Sequence, residues 1–581
     1  MNAINLLRQQ GFSELACQFA GFISRQQTPD NPLVSLTAGL LSEAVSDGHV
    51  CLNLVDQQSW PAEIMQQLPD TSSWQQQLID SAVVGQPGEF TPLIITVDGR
   101  LYLNRYWQDE QQVAIAIRQR EKAVKPASDN SVLQEFFAGW QQSVAGIDWQ
   151  KVAVLSALSQ QFTVISGGPG TGKTTVVLKI LQAFQALQPD LSIALAAPTG
   201  KAAARLQSVV SDAALPIAAK TLHRLLGISQ RHLNGRFNAD NPLPLDVLIV
   251  DEASMIDISL MALLLKALPV NARLILLGDA DQLASVESGA VLASLCADAP
   301  TFSADFAGQA QQLAQLDLPV SDQPSVLQNG LVKLQHSYRF SADSHIGQLA
   351  TAVRMGDTTT AMNLLQDTQS VLITPDNHHL EQTLTNGYQA FISAVERDLP
   401  APEILAAFEQ FRLLCATRQG PNSVAAVNHL MQQLLAKRGW RSGQPFYPGR
   451  PIMVTQNHYR LNLFNGDTGV ILRHTDGSLQ ACFMFASELR WVPLSRLPTH
   501  ETVFAMTVHK SQGSEFDAVS ILLPADISPI LNRQLLYTAI TRAKKSLNIL
   551  AMENVLRHTI STSHQRESGL KEQLDNWTGD I

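Results

Sequence analysis

From Gln150 onward, short apolar runs alternate with segments that have the hydrophobic period of a helix. Uninterrupted apolar runs of this length are expected of parallel strands that are buried on both faces, with helices between them. Each run ends in polar or glycine-rich residues, where the ligand sites of open α/β sheets fall. The pattern therefore predicts an α/β fold with two parallel-sheet domains. The runs lie at 162–167, 191–198, 246–253, 272–279, 411–417, 502–508, 518–524 and 546–552.

The first 122 residues have a different pattern, which predicts a mixed α+β domain. Helical periodicity near 41–54 is followed by strand-like residues at 92–107, which contain an Asp-Gly hairpin turn. Residues 123–139 begin with AVKPASDNSV, and we expect them to form a linker.

Two stretches interrupt the α/β pattern. An Asn-Gly turn followed by prolines predicts an exposed hairpin at 229–246, inserted in a first α/β domain that covers 140–335. Several short strands separated by NGD and DG turns predict a small β-barrel at 441–499. This barrel would be inserted in a second α/β domain, made of 336–440 and 500–555. Residues 298–330 have no clear pattern, and we expect 556–581 to form a C-terminal tail.

Composition narrows the class of protein. The chain has 581 residues, 45% of them hydrophobic, which is enough for several packed cores. No stretch approaches the ~20 consecutive apolar residues of a membrane span, and the N-terminus lacks the pattern of a signal peptide. The five cysteines are scattered, without metal-site spacing. These features predict a cytoplasmic protein with free thiols and no membrane partner.

The charge is distributed unevenly along the chain. The net charge is −10, but residues 1–140 alone carry 8 Lys and Arg against 15 Asp and Glu, while the remainder is nearly balanced. A nearly balanced region can still line one channel with cations and bind nucleic acid there. We expect the acidic N-terminal part to contact a protein rather than phosphates.

The segment GGPGTGKTT follows a predicted strand, precedes a predicted helix and matches the phosphate-loop pattern GxxxxGK[ST]. Its glycines let backbone N–H groups approach phosphates, Lys173 neutralises the β- and γ-phosphates, and the Thr174 hydroxyl can bind Mg²⁺. The alternative is a glycine-rich turn, which the position between strand and helix disfavours. We expect ATP contacts from Gly167, Gly168, Pro169, Gly170, Thr171, Gly172, Lys173, Thr174 and Thr175.

Polar residues after two further strands complete the expected hydrolytic site. In LIVDEAS, Asp251 is placed to hold Mg²⁺ and Glu252 to orient or deprotonate the attacking water. In LLGDADQL, Gln282 could reach the γ-phosphate, although an ordinary surface loop is the alternative. Hydrolysis also requires cations from a facing domain, and Arg339 and Arg542 are the candidates, unless they are solvated side chains or form ion pairs.

Together these segments resemble the ordered motif series of superfamily-one helicases. The series comprises DWQKVAV, GGPGTGKTT, APTGKAAARL, TLHRLLG, VDEASMID, GDADQL, QHSYRF, TVHKSQGSEFD and LLYTAITRAKK, in this order over about 400 residues. VDEASMID, TVHKSQGSEFD and the NGDTG insertion are most similar to the RecD branch of that superfamily.

The resemblance implies a fold and an activity. Two RecA-like motor domains would carry a strand-separating pin at 229–246 and an SH3-like barrel at 441–499. The motor would translocate 5′→3′ on single-stranded DNA, using ATP and Mg²⁺. The N-terminal region of this chain contains no recognisable helix–hairpin–helix DNA module. In this it is similar to the RecBCD subunit whose N-terminal domain docks on RecC. RecB and RecC would then be partners at broken duplex DNA ends, with nuclease chemistry in a partner.

The resemblance also assigns further residues. Gln150 would read the adenine edge, Tyr338 would stack on the adenine, and Gly513 and Glu515 would contact the nucleotide. The residues implied to contact DNA are Pro198, Thr199, Lys201, His223, Thr507 and His509.

Three alternatives remain open at this point. A standalone RecD-like helicase would unwind DNA without partners. A loader or switch ATPase would share the phosphate loop but should lack TVHKSQG and YTAITRAKK, both of which are present. An architectural subunit with a silent ATPase is disfavoured, because every expected catalytic residue type is in place.

Overall fold

The computed structural model describes residues 3–55, 60–121, 130–140, 146–229, 231–323, 325–339, 344–366, 370–373, 376–485 and 488–576. Residues 123–129 of the predicted linker and 577–581 of the predicted tail lie outside this part of the chain. The described residues form four sheets, and helices pack against them.

The N-terminal domain is a mixed four-stranded sheet with helices, as predicted. The predicted hairpin is present, because β3 pairs antiparallel with β4 around Gly99, whose φ is +82°. The prediction of strand structure after Leu103 is wrong, since Asn104 begins a helix that buries Trp107 and Val113. The elements are α1 (Ala3–Gln9), α2 (Glu14–Gln26), α3 (Pro32–Ser46), β1 (Cys51–Asn53), α4 (Ala62–Met65), α5 (Thr71–Ile79), β2 (Val84–Gly85), β3 (Leu93–Ile95), β4 (Arg100–Leu103) and α6 (Asn104–Gln119).

The first α/β lobe has a six-stranded parallel sheet in the order β10-β5-β9-β8-β6-β7. Its central strands β5, β8 and β9 are buried along their whole length. The elements are α7 (Asn130–Ala138), α8 (Trp149–Ser159), β5 (Phe162–Gly167), α9 (Lys173–Leu187), β6 (Ile193–Ala197), α10 (Gly200–Asp212), β7 (Ala219–Thr221), α11 (Leu222–Leu226), β8 (Val247–Val250), α12 (Ile258–Ala267), β9 (Arg273–Gly278), α13 (Val291–Leu295), α14 (Ala304–Ala314) and β10 (Leu331–Leu334).

The second lobe has a five-stranded parallel sheet in the order β11-β20-β19-β12-β18. Both lobes therefore have the predicted mixed α/β arrangement. The part before the insertion contains α15 (His345–Met355), α16 (Thr358–Leu364), β11 (Ser370–Ile373), α17 (Asn377–Gly387), α18 (Gln389–Glu396), α19 (Ala401–Glu409), β12 (Phe411–Cys415) and α20 (Val424–Lys437).

The insertion is a five-stranded antiparallel sheet in the order β16-β15-β14-β13-β17, with its own small apolar core. Its strands are β13 (Arg450–Val454), β14 (Thr468–Arg473), β15 (Leu479–Phe485), β16 (Glu488–Pro493) and β17 (His500–Thr502). The β-structure is as expected, and closure into an SH3-like barrel stays a prediction. The chain then completes the second lobe with β18 (Ala505–Thr507), β19 (Phe516–Leu522), α21 (Arg533–Ile540), β20 (Ala543–Leu550) and α22 (Glu553–Ser561). The last helix, α23 (Leu570–Asp575), returns to the N-terminal domain and the first lobe.

Three expectations outside the sheets need correction. Described residues of 229–246 form turns and one isolated bridge between Ser229 and His232, not a regular hairpin, and Pro242 and Pro244 have no N–H groups for a strand ladder. The second half of the predicted linker is helix α7, which packs on α9 and α14. The predicted tail is ordered through Asn576, and α23 packs against α6 and α13.

Two negative findings concern the described part of the chain. No helix there is both long enough and apolar enough to cross a bilayer. All five cysteines are buried, and none is in a disulfide.

Candidate nucleotide-binding cleft

The phosphate loop connects β5 to α9, at the carboxyl edge of the first sheet. Gly170 and Gly172 have φ angles of +80° and +82°, which favour glycine. A Cβ on Gly172 would collide with Nε2 of Gln150, and one on Gly170 would collide with Arg339. Glycine is therefore required both by the backbone conformation and by the close packing around the loop.

Lys173, the first residue of α9, folds back over this loop. Its Nζ donates hydrogen bonds to the carbonyls of Gly167 at 2.6 Å and Gly168 at 3.3 Å. Thr174 and Thr175 follow in the same first helical turn, where unpaired N–H groups and the helix dipole favour an anion. The loop thus combines a positive helix end, a lysine ammonium and glycines, an arrangement suited to binding a triphosphate.

Gln150 and Tyr338, the two predicted adenine contacts, both border the phosphate loop. Nε2 of Gln150 donates to the Thr171 carbonyl at 3.0 Å, and the backbone N–H of Tyr338 donates to the Gly170 carbonyl at 2.7 Å. The Tyr338 ring is about half exposed. The structure therefore brings these two residues together at one side of the loop, where both lie next to Gly172.

The two predicted acids follow β8, beside the phosphate loop. Glu252 has a left-handed backbone, with φ of +53°, and its N–H donates to the Asp251 carboxylate at 2.8 Å. Burial, and secondly the Glu252 carboxylate, raise the pKa of Asp251, whereas the Lys173 ammonium lowers it. A cation at this place would favour the ionised form of Asp251. A strained, non-glycine residue at such a position is common at functional sites.

Asp279 is a site residue that the sequence reasoning missed. It lies at the end of β9, is 2% exposed, and accepts hydrogen bonds from Nε2 of Gln282 at 2.9 Å and the Tyr537 hydroxyl at 3.1 Å. Burial raises the pKa of Asp279, and Lys173 lowers it. Its position after a strand was a usable signal, because β9 is the neighbour of β5 and the carboxyl ends of parallel strands meet at one edge.

The second lobe touches the phosphate loop directly. The Tyr537 hydroxyl would lie 2.9 Å from a Cβ placed on Gly168. Nearby, the backbone N–H of Leu283 donates to Oγ1 of Thr538 at 2.9 Å, and Nε2 of Gln512 donates to the Leu283 carbonyl at 2.9 Å. The lobes are therefore in contact across the cleft.

The two candidate arginines lie at this interface but differ in their contacts. Arg339 packs against the loop through its backbone, while its guanidinium donates to Glu515 at 2.6 Å. Arg542 is buried and donates to the carbonyls of Thr538 at 3.0 Å and Ser514 at 3.2 Å. Burial lowers the pKa of Arg542, while the carboxylates of Glu252 and Glu515 raise it.

Glu515 lies close to three cationic side chains, which come from different parts of the chain. Besides Arg339, it accepts a bond from Arg205 at 3.0 Å, and Lys544 lies 3.9 Å from its other oxygen. Despite burial, which raises it, the pKa of Glu515 is lowered by these arginines. Gly513, two residues earlier, has a φ of +74° and lines the adjoining cavity.

The predicted DNA contacts occupy several places. Thr199, beside Pro198, caps α10 by accepting the Ala202 N–H at 3.2 Å. His223 is exposed on α11. Lys201 is not on an open surface, since its Nζ donates to Oγ of Ser514 in the second lobe at 2.6 Å.

The remaining two lie in the second lobe. Oγ1 of Thr507, at the end of β18, accepts the Lys510 N–H at 3.3 Å. Burial and the nearby Arg566 lower the pKa of His509. Thr199 and Thr507 thus each follow or end a strand at the carboxyl edge of their sheet.

A cavity of about 950 Å³ lies between α10, α19 and the inserted sheet. Its charged lining residues are six cations and four acids: Lys201, Arg205, Lys220, Arg224, Arg490 and Lys544, with Asp212, Glu409, Asp467 and Glu515. Phe464 and Phe485 of the insertion also line it, and the Phe464 ring rests on Gly200, where a Cβ would collide with it. Cations together with aromatic rings are suited to the phosphates and bases of a single strand.

Two parallel α/β lobes that meet across a phosphate loop, with Arg339 packed on that loop and Arg542 buried at the interface, define a P-loop motor ATPase of helicase type. Residues 150–288 match the AAA domain family, and residues 502–550 match the UvrD-like helicase C-terminal domain. Residues 8–102 match the family described as RecBCD enzyme subunit RecD, N-terminal domain.

Full-length relatives identify the family more narrowly. The chain is 37% identical to the RecBCD enzyme subunit RecD of Mycolicibacterium smegmatis, covering 93% of both chains. Identity to the same subunit of Haemophilus influenzae is 33%, over 94% of both chains. The ATP-dependent RecD2 DNA helicase of Deinococcus radiodurans is 30% identical over 81% of this chain and 58% of that protein. The chain belongs to the RecD family.

Proposed function

We propose that this chain is an ATP-dependent DNA helicase that translocates 5′→3′ on single-stranded DNA, as the RecD subunit of a RecBCD-type enzyme. The observation that carries the proposal is the phosphate loop enclosed between two lobes. Lys173 lies on one side, and Tyr537 of the second lobe reaches over Gly168 on the other. Because the nucleotide contacts would span both lobes, ATP binding and hydrolysis would change how the lobes sit together.

The residues of the cleft fit ATP with Mg²⁺. Thr174 and Asp251 would hold Mg²⁺, which offsets the charge of the phosphates when bound. Mg²⁺ bound with a nucleotide is generally held by one or two protein ligands together with phosphate oxygens and water, which a hydroxyl and a carboxylate at this place can provide. Glu252 would orient the attacking water, and Gln282 would report the γ-phosphate.

Arg339 and Arg542 would stabilise the charge that develops during hydrolysis. In the structure, Glu515 holds the guanidinium of Arg339, as a phosphate would. Exchange of this carboxylate for the γ-phosphate would couple ATP to lobe closure. Gly513 and Glu515 would contact the nucleotide, and Gln150 and Tyr338 the adenine.

The strand would cross both lobes in contact with Pro198, Thr199, Lys201, His223, Thr507 and His509. The cationic cavity and an SH3-like barrel formed by the insertion would flank this path. Most contacts would be to the backbone or to stacked bases, so little sequence preference and a marked salt dependence are expected.

RecB and RecC would be the partners of this chain, with its N-terminal domain docked on RecC. The complex would process duplex ends at double-strand breaks for recombinational repair in the cytoplasm, with nuclease chemistry in a partner subunit. The share of each relative that the chain covers favours a RecBCD subunit over a standalone helicase. The match spans 93% of the M. smegmatis subunit but only 58% of the D. radiodurans helicase.

Lys173→Gln tests the ATPase assignment. Loss of the ammonium beside Gly167 and Gly168 should lower DNA-stimulated ATP hydrolysis by orders of magnitude while the melting temperature is retained. Lys266→Gln, an exposed lysine of the same lobe, is the control and should be neutral. Near-normal turnover by the Lys173 variant would refute the assignment.

A second experiment tests direction and partnership. A duplex with a 5′ single-stranded tail should be unwound, and preference for a 3′ tail would contradict the assigned polarity. Copurification from the native cell should recover the RecB and RecC chains. Recovery of a monomer that unwinds at full rate would instead support the standalone helicase.

A further inference from the structure

The loop that follows β9 is held from three directions. This sensor loop comprises Asp279 to Gly289, and it carries both Asp279 and Gln282 of the nucleotide cleft. Its first half is fixed by the second lobe through Tyr537 and Thr538. Its second half is far from those contacts along the chain and needs other support.

That support comes from Arg566, in the segment between α22 and α23. Nη1 of Arg566 donates to the carbonyls of Glu287 at 2.7 Å and Gly289 at 2.9 Å, and to Oγ of Ser285 at 3.3 Å. Nη2 donates to the Ser285 carbonyl at 2.6 Å. A planar guanidinium with this many acceptors fixes the loop at alternate residues, because its donors have a rigid geometry.

The N-terminal domain contacts the same end of the sensor loop. The Gly289 N–H donates to the Gly48 carbonyl at 2.9 Å, and the Ser288 hydroxyl donates to the Val45 carbonyl at 3.0 Å. Gly48 also packs on Arg566, since a Cβ on Gly48 would lie 2.6 Å from the guanidinium carbon. Arg566 is thus enclosed between the sensor loop and the N-terminal domain.

The segment that carries Arg566 is anchored on that domain. The Val50 N–H donates to the Glu567 carbonyl at 2.8 Å, and the Glu567 N–H donates to Nδ1 of His49 at 2.9 Å. Further along, the Ser568 hydroxyl and the Gly569 N–H both donate to the buried Glu110 carboxylate. Movement of the N-terminal domain would therefore displace Arg566.

We propose that Arg566 is a positioning residue for ATP hydrolysis, which sets the sensor loop and makes the ATPase rate depend on the placement of the N-terminal domain. The inference rests on the proposed ATPase function. A shift of about 1 Å in a group that orients reactants can cost up to about 100-fold in rate. Loss of the four hydrogen bonds from Arg566 should displace Gln282 and Asp279 by a distance of up to about 1 Å.

Arg566→Ala tests the proposal by steady-state kinetics of the full chain with single-stranded DNA. The variant should lose about tenfold in kcat for ATP, with a much smaller change in KM, because the sensor loop acts on the reacting phosphate and not on the base. Arg566→Lys keeps the charge but not the fork and should be intermediate. Lys571→Ala is the control and should be neutral, because it removes a partly exposed cation of the neighbouring helix α23, where Lys571 pairs with Asp298 away from the sensor loop.

A perturbation from the N-terminal side provides an independent test. Gly48→Ala would push on Arg566, whereas Gly88→Ala in the same domain meets nothing within 4 Å. Both glycines have a φ of +95°, so the two variants share the same backbone strain. Gly48→Ala should lower kcat several-fold, and Gly88→Ala should not. Melting temperatures of both variants would show that each is folded.

The outcomes separate this inference from the proposed function. If the wild-type chain hydrolyses ATP and Lys173→Gln does not, the proposed ATPase stands whatever the Arg566 variants do. Equal kcat for wild type and Arg566→Ala, or equal loss in Gly48→Ala and Gly88→Ala, would overturn the role of Arg566. If Arg566→Ala does not fold, the paired glycine variants decide the question.

Discussion

Thr538→Val should weaken the closed arrangement of the two lobes. Oγ1 of Thr538 accepts the backbone N–H of Leu283 across the cleft at 2.9 Å. Thr538 is 0% exposed and Leu283 is 9% exposed. Valine has nearly the shape of threonine but no hydroxyl, so without opening a cavity the substitution removes this bond and the one that Oγ1 donates to the Gln534 carbonyl at 2.7 Å within α21.

The size of the effect follows from burial of the N–H group. A buried donor left without an acceptor costs about 1–3 kcal/mol. Water would satisfy the Leu283 N–H when the lobes separate, so the cost falls on the closed form alone. The ratio of closed to open molecules should then fall by about 5- to 150-fold. The apparent affinity for ATP depends on the fraction of closed molecules, so it should fall by at most the same factor, which is reached where the closed form is the minor one.

Small-angle scattering during titration with a non-hydrolysable ATP analogue would follow lobe closure, and steady-state kinetics would give KM for ATP. Thr538→Ser retains the hydroxyl and is the matched control. The midpoint of compaction and KM should both rise in the valine variant relative to the serine variant. If the two variants have the same midpoint and the same KM, this bond does not contribute to closure.

Three further predictions concern buried ionisable groups. Burial raises the pKa of Glu110 to about 7, so the folded state holds this proton more tightly than the unfolded chain. Unfolding free energy should therefore fall as pH rises from the usual carboxyl range to about 7, and pH-dependent melting should show this dependence reduced in Glu110→Gln. Arg120 is 1% exposed and donates to the Leu268 carbonyl at 2.8 Å. Arg120→Met should therefore lower the free energy of unfolding by about 1.5–3 kcal/mol, and its melting temperature should be lower than that of Arg118→Met. Because burial and Glu252 raise the pKa of Asp251, protonation of this carboxylate should weaken Mg²⁺ binding as pH falls below neutrality. ATPase assays at low pH should then show that added Mg²⁺ restores the rate, whereas a loss unrelated to the metal would not be restored.

The central strands could be predicted because their signal is local. Strand β5 has the predicted bounds, since a strand buried on both faces is apolar throughout. Helix α7 was missed, because it buries little more than Leu133 and Phe137 and depends on packing against α14. The segment between α22 and α23 was also missed. It is polar and aperiodic, and its order comes from distant partners such as Glu110 and Gly289.

The site was predictable to the extent that its parts are contiguous in the chain. The phosphate loop needs nine adjacent residues, and its spacing identifies it. The bond between Asp279 and Tyr537 joins residues 258 positions apart, so no local pattern indicates it. The sequence likewise indicates cationic residues at 339 and 542 but not their partners. That Glu515 binds the guanidinium of Arg339 follows from tertiary packing alone.

The contact between Phe464 and Gly200 limits how the motor can move. Phe464 belongs to the insertion in the second lobe, but its ring contacts Gly200 at the start of α10 in the first lobe. Rotation of one lobe against the other would have to slide this ring along α10 or lift it away. Because Phe464 and the start of α10 both line the cavity, its width would change with that rotation, and a side chain larger than glycine at position 200 would push the ring and the helix apart.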